Sequence, residues 1–234
     1  MGYGAEPRNQ IRPDPDWPAP LFCAGPRGYN HWQLDADIDR WMRSFDMSTA
    51  MAAGMTTEEL LALPDNGMDR ELIRGVLKEK TMTYRNRFHT RAVANASRLV
   101  GNWVQRLSGV KGEVHSGEVG CILRRDPDTV VGIDVAYFSP EVMQRQSEDT
   151  TLVEGAPTLA IEVLSPSDRT EEIRDKVLEY LAAGVALVWV VDPYFHTVTV
   201  HRPTASPEMF NNEETLTGGA TLPGLEIAVA DLFH

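Results

Sequence analysis

Ala160-Ile161-Glu162-Val163-Leu164 is an apolar run with one carboxylate inside it, bounded by Pro157 and by the Ser165-Pro166 turn. A short run rich in β-branched residues reads as a strand buried on both faces. A lone carboxylate in such a strand is costly unless it is paired, hydrogen-bonded or bound to a metal. The reading of the chain therefore turns on what Glu162 meets.

A second strand supplies the first partner. Residues 129–138 read Thr-Val-Val-Gly-Ile-Asp-Val-Ala-Tyr-Phe. Alternate strand residues share a face, so Val131, Ile133, Val135 and Tyr137 are expected on one side, and Gly132, Asp134 and Ala136 on the other. The small neighbours leave room beside the Asp134 carboxylate. Two acids on adjacent buried strands repel, and one keeps its proton unless a cation lies between them. Hard divalent cations such as magnesium bind carboxylate oxygens and keep several waters. A strand-end cap or an arginine partner is the alternative for either acid.

The third element follows the turn. Asp168-Arg169-Thr170-Glu171 reads as a capping box for a helix over 168–183. Ile173, Val177, Tyr180 and Leu181 recur at helical spacing, and Gly184 closes the helix. Lys176 lies on the edge of that apolar stripe, where its stem can pack while its ammonium reaches toward Glu162 or out to water.

Taken in order, these residues resemble a known family. Asp134, Glu162-Val163-Leu164-Ser165-Pro166-Ser167, Lys176, Tyr180, Gly184-Val185 and Trp189-Val190-Val191-Asp192-Pro193 are similar to the Uma-type restriction endonucleases, a branch of the PD-(D/E)XK nuclease superfamily. Met55 to Leu60, Leu61 to Pro64, Glu71-Leu72-Ile73 with Gly75, His89 and Leu222-Pro223-Gly224-Leu225 fit the same pattern, so the resemblance spans about residues 55–234. It implies a restriction-endonuclease-like core, and magnesium or manganese held by Asp134, Glu162 and the Val163 backbone carbonyl. It also implies catalytic roles for Lys176, Glu162 and Asp134, with Glu71 and His89 as further site residues. The chain departs from the superfamily at two positions. Leu164 stands where the acid-x-lysine tripeptide has its lysine, which makes Lys176 the substitute, and Ile133 stands where a proline precedes the first acid.

Composition bounds the setting. The 234 residues suffice for one sizeable core plus an extension, and 42% hydrophobic with 24% charged residues is ordinary for a globular protein. No apolar run is long enough to span a bilayer, and the start lacks a signal-peptide pattern. The two cysteines, Cys23 and Cys121, lack CxxC spacing. These features suit a reduced, cytoplasmic protein with no membrane partner.

The net charge of -12 argues against general affinity for nucleic acid. The distribution qualifies this, because residues 70–106 hold nine Arg and Lys against Glu71 and Glu79. A helix over Phe88 to Leu107 is expected there, with Val93, Ala96, Leu99, Val100, Trp103 and Leu107 as its apolar stripe. Arg87, Arg91 and Arg98 project from the opposite face, either as a solvated surface or as a phosphate track. His89 falls on the apolar side and is expected to face the sheet.

Residues 1–54 read as an N-terminal extension. Pro13, Pro15, Pro18, Pro20 and Pro26 suit an extended linker, and Ile38, Trp41, Met42 and Phe45 suit a short amphipathic helix. Residues 55–234 read as one domain of α/β (α+β) class with a mixed central sheet flanked by helices, including a single strand near 71–80. The expected function is metal-dependent hydrolysis of DNA phosphodiesters by a homodimer. A binding or assembly protein of the same fold without hydrolysis, and a hydrolase of small phosphate esters, are the alternatives.

Overall fold

The computed structural model describes residues 54–81, 84–147, 149 and 151–234. The proline-rich stretch and the helix expected near Trp41 lie outside the described residues. In chain order the elements are α1 (Thr57–Leu61), β1 (Met68–Ile73), β2 (Val76–Thr81), α2 (Arg87–Arg106), β3 (Glu113–Arg124), β4 (Thr129–Phe138), α3 (Pro140–Met143), β5 (Val153–Glu154) and β6 (Leu159–Val163). They continue with α4 (Thr170–Ala182), β7 (Leu187–Asp192), β8 (Thr197–Arg202), β9 (Ala205–Phe210), β10 (Thr215–Thr217), β11 (Glu226–Ala228) and a terminal 3-10 turn, Val229–Leu232.

Nine strands form one mixed sheet, in the order β2-β1-β4-β6-β7-β8-β9, with β3 attached at β4 and β5 attached to β3. The β6–β7 pair is parallel, joined through α4, while β4–β6 and β7–β8 are antiparallel. This is the mixed α+β architecture read from the sequence. On one face, α2 packs Ala92, Ala96, Val100 and Trp103 against Val135, Tyr137, Ile161 and Trp189. On the other, α4 packs Val177, Tyr180 and Leu181 against Ala136, Ala160 and Val188. Tyr180 and Trp189 are wholly buried, so both faces are closed as a two-sided sheet requires.

Strand β4 sets the position of everything that follows. β3 pairs with it along its full length, from Glu113↔Phe138 to Arg124↔Thr129. The other edge of β4 is shared: β1 meets it at Val130, and β6 meets it at Val135, Ala136 and Tyr137. Residues 131–134 lie between these two contacts, and among the described residues no strand pairs with them on that side.

Three sequence expectations change here. The single strand near 71–80 is a hairpin, because Arg74 and Gly75, at φ +51 and +77, form a two-residue turn between Ile73 and Val76. A Cβ on Gly75 would also lie 2.8 Å from the Cα of Gly54. The capping box at 168–171 does not form. Arg169 is the N-cap without a side-chain bond, and Asp168 instead accepts from the Ser165 N–H and pairs with Lys80 at 3.0 Å. Finally, the alternation along β4 slips at Asp134. Val131 and Ile133 join the α4-side cluster, whereas Val135 and Tyr137 join the α2-side cluster. Across the ladder from this point β3 carries a bulge between Ser116 and Val119, opposite Val135 and Ile133. Bulges increase local twist and re-aim side chains.

The hairpin is tied to α4 by Arg74, whose Nε donates to Glu179 Oε1 at 2.8 Å, with Glu179 1% exposed. Removing one partner of a buried pair leaves an uncompensated charge. Arg74→Met is therefore expected to lower stability by about 3–5 kcal/mol, and Arg74→Met with Glu179→Leu to recover most of it. Chemical denaturation of the three proteins checks this, and an unchanged Arg74→Met midpoint would contradict it.

Candidate active site

The gap along β4 contains polar backbone that needs partners, since buried N–H and C=O groups are almost always paired. Side chains provide them. Glu71 Oε1, from β1, accepts from the Gly132 N–H at 3.3 Å. Lys176 Nζ, from α4, donates to the Gly132 carbonyl at 3.1 Å. Asp134 Oδ2 accepts from the Val163 N–H of β6 at 2.8 Å. Glu162 lies one residue beyond the last β4–β6 pair, Val135↔Ile161, so it and Asp134 flank the same break in the ladder.

Charge is concentrated around this break. Lys176 Nζ is 3.0 Å from Glu71 Oε1 and 3.4 Å from Glu162 Oε2. With the Gly132 carbonyl, these acceptors use all three of its N–H donors. Tyr180, one turn further along α4, donates its hydroxyl to Glu162 Oε1 at 2.5 Å. On the opposite side of the sheet, His89 Nε2 is 3.3 Å from Asp134 Oδ1. His89 is the third residue of α2, and its N–H is capped by Asn86. His89 Nδ1 is buried without a hydrogen-bond partner among the described residues.

Burial governs the electrostatics. Glu162, 6% exposed, is pushed up to about 8 by burial, against the opposing pull of Lys176. Burial disfavours the Lys176 ammonium, but Glu162 and the other acidic groups around it outweigh that and hold it well above its ordinary value. Lys176 is thus the counter-ion of the cluster. Burial, then the neighbouring Glu162, raises the Tyr180 hydroxyl, so it stays a donor.

Five residues singled out in the sequence therefore converge: Glu71, His89, Asp134, Glu162 and Lys176. Val163 joins them through its N–H, which holds Asp134. Arg87, Arg91 and Arg98 do not enter the cluster. They lie on the exposed face of α2, with the Arg87 and Arg91 guanidinium groups 4.7 and 5.9 Å from the Phe88 ring centroid and Arg98 bonded to Asn95. Tyr180 is the partner that site reasoning passed over. Its spacing of four from Lys176 on the same helix was the available signal.

The donor chemistry suits a hard divalent cation. Asp134 and Glu162 present carboxylate oxygens at the break, and a magnesium ion needs one or two carboxylates because it keeps several waters. Among the described residues, no three His, Cys, Asp or Glu side chains converge tightly enough to form a metal cage on their own. Asp134 and Glu162, which flank the break, could serve as the carboxylates of such a site.

The model of the Uma2 family, described as "Putative restriction endonuclease", matches residues 57–230. A crystal structure of "a putative nuclease belonging to DUF820 from Anabaena variabilis ATCC 29413" is similar, with a TM-score of 0.63 and 23% identity over 76% of this chain and 97% of the other. At that identity the likeness speaks for the fold, which is restriction-endonuclease-like. No curated protein matches the chain.

Lys176→Met would leave Glu71 and Glu162 without their shared cation. We expect a folded protein destabilised by about 3 kcal/mol, the low end for a broken buried pair because Lys176 is 19% exposed. Adding Glu162→Gln should recover part of the loss. Equal denaturation midpoints for wild type and Lys176→Met would show that the ammonium is not the counter-ion.

Proposed function

The chain belongs to the Uma2 family, and we propose that it is a nuclease, specifically a DNA endonuclease that uses magnesium or manganese. The observation that carries this reading is that Asp134 and Glu162 flank one break in the sheet, with the Lys176 ammonium 3.4 Å from Glu162.

Asp134, Glu162 and the Val163 carbonyl are the groups assigned to the cation. When bound, it supplies Lewis-acid polarisation of the scissile phosphate and lowers the pKa of a coordinated water. The protein's own residues do the rest. The Val163 N–H and His89 fix the orientation of Asp134, and the Tyr180 hydroxyl fixes that of Glu162. Lys176 presents a positive charge where a phosphate adds negative charge, and it can orient the attacking water. Glu71 holds Lys176 in place, so Glu71 and His89 act by positioning. Pre-set dipoles and charges of this kind stabilise a transition state without reorganising.

Arg87, Arg91 and Arg98 offer an exposed basic face on the helix that carries His89, which suits contacts to flanking phosphates. A homodimer suits cleavage of both strands, since symmetric pairs dominate among soluble oligomers. Residues 1–54 are assigned as an extension to the nuclease domain of residues 55–234. No helix among the described residues is long and apolar enough to cross a membrane.

Incubation with supercoiled plasmid in magnesium, manganese or chelator tests the reading. Nicking is expected with either metal and not with chelator. Asp134→Asn and Lys176→Met should each lower the rate by roughly 100-fold or more. Wild-type rates in both variants, or turnover of small phosphate esters without nicking, would contradict the proposal.

A further inference from the structure

The β3 bulge opposite Asp134 delivers a fourth carboxylate. Glu118 sits in that bulge with φ +60, after Gly117 at φ +94. A non-glycine residue held in the left-handed region is strained, and such strain gathers at ligand sites and switches. The strain places Glu118 over Gly132, where a Cβ would lie 3.0 Å from Glu118 Oε2. Gly132 is the residue whose N–H and C=O are taken by Glu71 and Lys176. Glu118 therefore stands at the mouth of the acidic cluster, its side chain 44% exposed.

Its partner is Arg85, the residue before the N-cap of α2, which forms an ion pair with Glu118 through Nη2. Burial works against the Arg85 charge, but Glu118 first, then Asp134 and Asp69, outweigh it and raise its pKa. Of the cluster's acids it is Asp134 whose charge reaches Arg85, whereas Arg87, Arg91 and Arg98 lie on the exposed face of α2. Lys176 has no N–H left to offer. Arg85 has a forked guanidinium engaged with a half-exposed carboxylate, and that fork fits phosphate as well as carboxylate. An ion pair this exposed adds little to stability, so exchanging it for another anion costs little.

We propose that Arg85 binds a substrate phosphate at this site and that Glu118 is its place-holder, occupying the guanidinium until a nucleic-acid phosphate displaces it. This rests on the nucleic-acid reading above. Four carboxylates at one mouth repel a polyanion, and Glu118 is the member that can yield without dismantling the cluster. Its release would remove one negative charge from the path and free one positive fork at the same moment.

The test is binding of a short labelled DNA, single-stranded and duplex, with calcium in place of magnesium. Glu118→Gln should bind several-fold more tightly than wild type, and Arg85→Gln roughly tenfold or more weakly. Arg85→Lys, which keeps the charge and loses the fork, should fall between them. In the Arg85→Gln background, Glu118→Gln should bring a clearly smaller gain, the residue of one negative charge removed, because most of its effect runs through the guanidinium. Glu118→Gly, which relieves the backbone strain, should bind as Glu118→Gln does and guards against a folding artefact. A wild type that binds while Glu118→Gln binds no tighter overturns this inference alone. An equal gain in the Arg85→Gln background also overturns it, by showing a general charge effect. A wild type that binds neither DNA overturns the nucleic-acid reading and this inference together.

Discussion

The Lys176 ammonium and the gap it fills are the constraint on which the rest of the structure depends. β4 is a central strand, yet over residues 131–134 one of its edges has no strand beside it among the described residues. A sheet interior does not tolerate bare backbone. Glu71, Lys176 and Asp134 take the places that ladder bonds would hold, on the Gly132 N–H, the Gly132 carbonyl and the Val163 N–H. Once charged side chains serve as ladder partners, they must neutralise one another. One ammonium does this for Glu71 and Glu162. The groups suited to chemistry are therefore also the groups that close the sheet.

Each charged residue is delivered by a different element, and each element is anchored in apolar packing. α2 brings His89 from one face, under a buried stripe that includes Ala92, Ala96, Val100 and Trp103. α4 brings Lys176 and Tyr180 from the other face, with Val177 and Leu181 beside them. The β1–β2 hairpin brings Glu71, and Arg74 fastens it to Glu179 on α4. The sheet break thus receives an acid from each of three strands and a cation from a helix. This division suits a site whose members must stay in register while a polyanion arrives.

Much of this was legible in the sequence, for identifiable reasons. A carboxylate inside a β-branched run cannot be neutral to the fold, so Glu162 marked the site, and small neighbours marked Asp134. Helical periodicity placed His89 toward the sheet and Lys176 at a stripe edge, and both positions hold. What escaped depends on contacts distant along the chain. The slip at Asp134 lies opposite a bulge in β3, and strict alternation within β4 reveals neither. The Arg74-Gly75 turn was hidden because a hairpin with a two-residue turn looks like one long strand. Asp168 had the right spacing for a cap, but the Ser165 N–H and Lys80 claim its carboxylate. Glu118 gave no local signal at all, since only its neighbour across the ladder is a glycine that makes room for it.

The proposed divalent cation would bind at the break between β4 and β6 while Lys176 remains beside Glu162. Diffraction from manganese-soaked crystals, recorded with the anomalous signal of the metal, tests this. An anomalous peak coordinated by the Asp134 and Glu162 carboxylates is expected, with Lys176 Nζ still beside Glu71 and absent from the coordination shell. A peak elsewhere with none at this break, or a lysine expelled into solvent when the metal binds, would contradict it.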